Sequence, residues 1–493
     1  MPFHLEHTYA ESLPGFFVDC PPAGVSNPSL LKLNRSLAQE LGLDLDQLTG
    51  ELSEKAFSGN QLPPDARPIA QAYAGHQFGS FVPQLGDGRA LLIGECIDGT
   101  GQRRDIALKG SGRTPFSRGG DGKAAVGPVL REYLIGEAMH ALGIPTTRAL
   151  AAVATGEPVM REGPLPGAVL TRVAGSHVRV GTFQFFAARQ QIDQIKQLAD
   201  YVIQRHYPDL QELPDRYLAL LHRVSDQQAA LIAKWMLVGF IHGVMNTDNM
   251  AISGETIDYG PCAFMETYDP ATVFSSIDHA GRYAFGNQPA IGLWNLTRFA
   301  ETLVPVIDGN DIDHAVERAT RVLETFYPTF QRNWYDGARQ KLGIVPADKS
   351  LESDPTVALI DDWYKHLEDS AVDFTLAWRR LADAVDGSES PLTSLFNEPD
   401  ALADWIARWK QLLLEDPPKE LARRLRELNP VYIPRNHLVE EALAAASDEG
   451  DLQPFNDLLQ VLQHPFEERS EWSRYAEPAP KDYTKCYQTF CGT

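Results

Sequence analysis

The sequence predicts an α+β fold, with the strands gathered before residue 182 and helices after it. Three observations carry this reading. Residues 66–182 alternate short apolar runs with Gly-bearing turns, the pattern of strands joined by tight connections. From residue 183 onward apolar residues recur mainly at helical spacing. Within the helical part, His242–Gly260 (HGVMNTDNMAISGETIDYG) groups two carboxylates and a carboxamide around a predicted hairpin. Oxygen donors of this kind suit a hard divalent cation that shares its ligands with phosphates, the outline of a phosphotransfer catalytic loop and metal loop. Asn, Asp and Gly also favour turns, so the weight rests on the spacing of the whole stretch.

Bulk properties narrow the class. At 493 residues the chain has room for a large core. Its 44 basic against 66 acidic residues give a net charge of −22, which repels nucleic acid, and no long Lys/Arg run offsets it. An acidic protein that binds a nucleotide must concentrate positive charge locally, so the arginines and lysines between 89 and 179 become the place to look. The N-terminus lacks the basic start and apolar core of a signal peptide. No run approaches the ~18 apolar residues of a membrane span. Five scattered cysteines do not form a disulfide framework. A cytoplasmic enzyme without a membrane or nucleic-acid partner is the expectation.

Taken in order, residues 1–65 predict an N-terminal extension wrapped around a core that begins later, with Leu30, Leu31, Leu33 and Leu37 giving SLLKLNRSLAQELGL a helical period. Gly86-Asp87-Gly88 is a hairpin-type turn next to the strands RALLIGEC and RDIALKG. Lys109 ends the second strand, where its ammonium can meet phosphate oxygens as a compact charge. The loop RTPFSRGGDGKAAVG is rich in Gly, Arg and Lys, as backbone approaching phosphates requires. GPVLREYLIGEAMHALG predicts a helix with Leu130, Tyr133, Leu134, Ala138 and Leu142 as its apolar stripe and Glu132 upon it. Arg172 and Arg179 flank a Gly-Ser-His turn, from which two planar guanidiniums can grip phosphate oxygens in one cleft. Two helices, FQFFAARQQIDQIKQLADYVIQRHY and DRYLALLHRVSDQQAALIAKWMLVGFIHGV, then lead into His242–Gly260. The next segment begins as a loop and ends as a helix, and from about 300 the chain is helical, with Trp and Leu stripes that belong to a core.

Strand with Lys109, helix with Glu132, then catalytic loop and Asp258-Tyr259-Gly260 follow the order of a bilobal protein kinase-like fold. The implied division is an N-terminal extension 1–65, an N-lobe 66–182, a C-lobe 183–300 and a helical region 301–493 packed on the C-lobe. Against the kinase pattern H-x-D-x-x-x-x-N, His242 and Asn249 fall in place, but Val244 stands where the proton-accepting aspartate belongs.

Over nearly its whole length the sequence resembles the selenoprotein O family of protein adenylyltransferases with a pseudokinase fold. The resemblance rests on AYAGHQFG, LGDGRA, LKGSGRTPFSR with its following GDG, LREYLIGEAMHALGIPTTRAL, TRVAGSHVRVGTF, HGVMNTDNM, TIDYGPCAFM and NPVYIPRNHLVEEAL. It implies a nucleotide bound in reversed orientation, so that AMP from ATP passes to a Ser, Thr or Tyr hydroxyl of a protein, the chain itself included. The ATP-binding positions it implies are Gly86, Gly88, Arg89, Lys109, Asp121, Gly122, Glu132, Arg172, Arg179 and Asp258. It also implies Asp248 as proton acceptor, Asn249 and Asp258 as ligands of Mg²⁺ or Mn²⁺, and a monomer. UMP transfer from UTP, an atypical kinase and a silent nucleotide-binding scaffold are the alternatives. Cys491 matches a C-terminal redox position of the family, whereas Phe274 replaces its cysteine partner, leaving Cys262 or Cys486 as substitutes.

Overall fold

The computed structural model describes residues 4–490 except 47, 49, 345–350 and 398. Its centre is a twisted antiparallel sheet built from β1 (Phe17–Asp19), β2 (Ser29–Leu33), β3 (Ile69–Gln71), β4 (Ala90–Ile97), β5 (Arg103–Lys109), β6 (Arg148–Met160) and β7 (Pro164–Ala174). The spatial order is β1-β3-β4-β5-β7-β6-β2, and the two-residue strand Ala124–Ala125 adds to β7. The middle strands read as nearly continuous apolar runs because both faces are covered. On one face Leu91, Ile93, Ile106, Leu108, Val153 and Val169 pack against Leu37, Leu41 and Phe57 of the N-terminal segment. On the other, Leu92, Ala152 and Leu170 meet the helix that follows.

The N-terminal residues thus supply both edges of the sheet. The helix expected from Leu30 to Leu37 is half strand: Ser29–Leu33 pairs with β6 in the register Ser29↔Ala154 to Leu33↔Ala151. Only after Asn34, whose side chain accepts from Leu37 N at 3.1 Å, does the chain become helical, over Arg35–Glu40. An available strand edge overrides a short helical period. Gly86-Asp87-Gly88 likewise closes no hairpin; β3 pairs with β4 across it, and the hairpin turn of β4 with β5 lies at Asp98–Gln102.

Helix α1 (Val126–Ala141) lies on the sheet and is buried on almost every side rather than along one stripe. Its outer face is covered by Asn436–Ala444 and Gln453–Leu462 from the far end of the chain, with the Tyr133 and Phe455 rings 5.9 Å apart. Beyond the sheet come α2 (Val180–Ala187), α3 (Ile192–His206), α4 (Arg216–Leu237) and α5 (Gln288–Ile307). The first predicted long helix therefore breaks, at Gln190 with φ +55°. As expected, α4 delivers the Phe240–Ile241 strand and the loop after it. The predicted hairpin within 242–260 is absent: Thr247–Asn249 is a single 3-10 turn, Ala251 bridges to Arg179 and Thr256 to Thr146.

The C-terminal region is helical as predicted, with Ile312–Glu324 and Phe326–Leu342 separated at Thr325. Trp363, Trp378, Trp405 and Trp409 are almost wholly buried there. Trp363 and Trp405 stack at 4.6 Å, and the indole N–H groups of Trp405 and Trp409 donate to the Leu359 and Leu342 carbonyls. These rings are core, and the polar tips of Trp405 and Trp409 are satisfied. No helix among the described residues is long and apolar enough to cross a membrane.

Candidate active site

The sheet register brings the cationic side chains together. Lys109 pairs with Ala90 and Leu170, and Arg172 with Ala107, so both side chains leave the sheet on the face covered by α1. There Glu132 of α1 meets Lys109 Nζ at 2.5 Å and Arg172 Nη1 at 3.2 Å. Asp258 arrives from the opposite side. Its carboxylate lies 2.5 Å from Lys109 Nζ, 2.8 Å from Arg172 Nη1 and 3.6 Å from Arg179 Nη1. Burial alone would raise the Asp258 pKa; the three cations outweigh it and hold the group well below the usual carboxylate range. Its backbone has φ +66°, a left-handed conformation uncommon for a residue with a side chain.

The loop before Asp258 is fixed by its own polar groups. Thr247 Oγ1 accepts from His76 N at 2.7 Å and donates to Gln184 at 2.6 Å, while Asn246 accepts from Phe78 N and from Tyr283 OH. Asn249 Nδ2 donates to the Val244 carbonyl at 2.9 Å, which leaves its Oδ1 as the free oxygen. Asp248 is buried beneath the Gly75–Gln77 strand, where a Cβ on Gly75 would stand 2.5 Å from its Oδ1. That oxygen has no hydrogen-bond partner, and burial pushes the carboxyl up to about 6. Arg179 donates to the Asp248 carbonyl at 3.1 Å, lies over the Tyr73 ring at 4.4 Å and keeps a buried Nη2 without a partner. Lys109, Glu132, Arg172, Arg179, Asp248, Asn249 and Asp258 line one cavity of ≈ 800 Å³, large enough for a nucleotide.

A family model described as "Protein adenylyltransferase SelO" matches residues 3–463. The chain belongs to the SelO family. The proteins named protein nucleotidyltransferase YdiU from Cereibacter sphaeroides and Chromobacterium violaceum are 60% and 59% identical to it, covering 100% of both chains in the first case and 96% of this chain and 98% of the relative in the second. The YdiU protein of Rhizobium rhizogenes is 54% identical, over 100% of this chain and 97% of its own. The chain is accordingly a nucleotidyltransferase.

In this SelO chain the cavity gathers Gly88, Arg89, Lys109, Glu132, Arg172, Arg179, Asp248, Asn249 and Asp258. Gly86, Asp121 and Gly122 stand outside it. Gly86 has φ +70° and its missing Cβ is replaced by the Phe116 ring; Gly122, at φ +69°, lies against the Gly112 carbonyl. Asp121 is exposed and paired with Arg161 at 2.9 Å. The Gly-rich loop is thus sewn to the Gly86–Gly88 turn, where Thr114 Oγ1 donates to Asp87 O at 2.6 Å and Ser117 Oγ to Gly88 O at 2.5 Å.

Several lining residues carried no sequence signal. Tyr73 is an aromatic in a strand-like run; Asp87, buried with Oδ2 accepting from Gln71 N at 3.0 Å, reads as a turn residue. The tail around Tyr483 and Tyr487–Phe490 also lines the cavity, from a position more than two hundred residues downstream of Asp258. Thr489 Oγ1 donates to Pro261 O at 2.7 Å and Thr489 N to Phe274 O at 2.8 Å, while the Phe274 and Tyr487 rings lie 5.8 Å apart. Cys491 lies outside the described residues. Cys262 is fully buried, its thiol pushed up to about 11 by burial, and Cys486 is exposed; neither forms a disulfide among the described residues.

Proposed function

We propose that this enzyme transfers AMP from ATP to Ser, Thr or Tyr hydroxyls of proteins, its own included, using a protein kinase-like two-lobed fold. The observation that carries the reading is the displacement of the carboxylate: Val244 occupies the kinase base position, and a buried carboxylate with one oxygen free of hydrogen bonds stands at Asp248. A group that titrates near 6 is largely ionised at neutral pH yet basic enough to take a proton in a transition state. The substrate oxygen attacks the α-phosphorus, its proton passes to Asp248, and the bond to the bridging oxygen breaks to release pyrophosphate.

Charge develops on the phosphates during this step, and Arg89, Lys109, Arg172 and Arg179 are among the cations that line the cavity and can meet it. Asp258 and Asn249 offer an all-oxygen pair that would hold Mg²⁺ or Mn²⁺. Among the described residues no three His, Cys, Asp or Glu side chains make a metal site unaided, which fits a cation that arrives with the nucleotide. When bound, the ion supplies further positive charge to the phosphates. Lys109, held between Glu132 and Asp258, and Arg172, held between the same two carboxylates, are pre-aimed at the cavity before substrate binds.

The test is a comparison of labels. Label on the α-phosphorus of ATP is expected to enter protein and label on the γ-phosphorus is not. Asp258→Ala should abolish transfer, and Asp248→Asn should slow it by about 10²–10⁴-fold. Equal transfer of both labels would overturn the reading, and stronger labelling from UTP would redirect it to UMP.

A further inference from the structure

Behind Arg172 lies a buried chain of polar groups that reaches none of the cavity. Arg172 Nε points away from the cleft to His177 Nε2 at 3.2 Å. An arginine Nε–H can only donate, so Nε2 must be the unprotonated nitrogen of that imidazole. Its proton is therefore on Nδ1, which donates to Asp105 Oδ2 at 2.9 Å. The same oxygen accepts from His177 N at 2.8 Å, and Asp105 Oδ1 accepts from Arg205 Nη2 at 2.6 Å. Arg205 is itself held by the Gly175 carbonyl and by Tyr201 OH, and lies 3.4 Å from Glu95. Asp105 and Glu95 are adjacent across β4 and β5, and all these side chains are almost wholly buried.

This wiring is costly to bury and does not line the site. What it fixes is the direction of one guanidinium. With Nε tethered to His177 and Nη1 to Glu132 and Asp258, the fork of Arg172 has one orientation available. We infer that His177, oriented by Asp105, is a positioning residue for nucleotidyl transfer: it holds Arg172 in the phosphate-facing orientation by accepting the Nε–H bond. The neutral state this needs is favoured by burial, opposed by the Asp105 hydrogen bond, with the imidazole held down at about 4. The inference rests on the proposed role of Arg172 at the phosphates.

His177→Leu removes the acceptor, whereas His177→Gln places an amide oxygen where Nε2 stood. Outer partners of this kind are typically worth ~10–100-fold, so His177→Leu should lower kcat for transfer from α-labelled ATP by that factor, with a smaller change in nucleotide KM. His177→Gln should restore most of it. The deciding measurement is a double-mutant cycle: in an Arg172→Ala background, His177→Leu should add little further loss. Full additivity, or no rescue by glutamine in variants with matched thermal midpoints, overturns the inference. Absence of α-label transfer by the unaltered enzyme would instead remove the proposed function on which it stands.

Discussion

Two buried arginines, Arg172 in the cleft and Arg435 among the C-terminal helices, have the same partners by type and different surroundings. Each is 2% exposed or less and each faces two carboxylates: Glu132 and Asp258 for Arg172, Glu266 and Asp373 for Arg435. Around Arg435 the arrangement is closed. It joins Glu266, just past the Ala263–Phe264 strand, to Asp373, which caps the Phe374–Val385 helix by accepting from Leu376 N, and to the Ala476 carbonyl. Around Arg172 the carboxylates are shared with Lys109 and Arg179, and the group opens onto the cavity. Burial and pairing therefore do not mark a site. What marks it is a set of cations that share their carboxylates and face a space that a polyanion can enter.

The comparison breaks if the two arginines behave alike. Arg435→Met leaves two carboxylates without their cation in a closed interior, and should cost about 3–5 kcal/mol of folding stability, read as a lowered denaturant midpoint. Arg172→Met leaves Glu132 and Asp258 still paired with Lys109 and open to water. Its stability cost should stay below ~2 kcal/mol, while transfer falls by on the order of 10²-fold or more. Equal stability losses, or an Arg435 variant that folds fully and loses transfer, would show that both centres belong to one functional unit.

Acid should act on the cleft. His177 is neutral in the folded protein, its pKa lowered by burial from 6.5 to about 4, with Asp105 opposing and Arg172 and Arg179 reinforcing the shift. The unfolded chain then binds more protons than the folded one between these values. The contribution is full above about 6.5 and is lost as pH falls toward 4. At pH 5 the loss should be ~2 kcal/mol. Unfolding free energy measured from pH 7 to pH 5 should decline more steeply in the unaltered protein than in His177→Gln; parallel curves would exclude this imidazole as the cause.

Much of this arrangement is legible in the sequence because it is local. Lys109 at a strand end, Glu132 on a helix, Arg172 and Arg179 around one turn, and Asp248, Asn249 and Asp258 within one loop all converge on the cavity. Their grouping follows from residue type and short spacing, while the roles proposed for them come from the family resemblance. The edge strand Ser29–Leu33 has a helical period in the sequence and its partner β6 lies more than a hundred residues away, and such pairings leave no local trace. The tail at 487–490 and the helices over α1 are hidden for the same reason. His177 was visible as a letter in the turn, but its meaning depends on Asp105 in β5 and Arg205 in α3, which only the folded chain assembles.

The smallest expected effect concerns the loop where sequence and geometry part. The family resemblance implies Asp121 at the nucleotide, yet it sits outside the cavity, 40% exposed, against Arg161 at the end of the β6–β7 hairpin. The loop's hold on the cavity comes from the other side, through Thr114 and Ser117 to the carbonyls of Asp87 and Gly88. An exposed ion pair of this kind is worth at most ~1 kcal/mol, so Arg161→Ala should barely move the unfolding midpoint. If the inner hydroxyls set the loop's position, the ATP KM should also change by less than about 3-fold, an energy below ~1 kcal/mol. A larger shift in KM with unchanged stability would mean that freeing Asp121 lets it reach the nucleotide, and that the Arg161 pair is a resting position which substrate binding exchanges for the cleft.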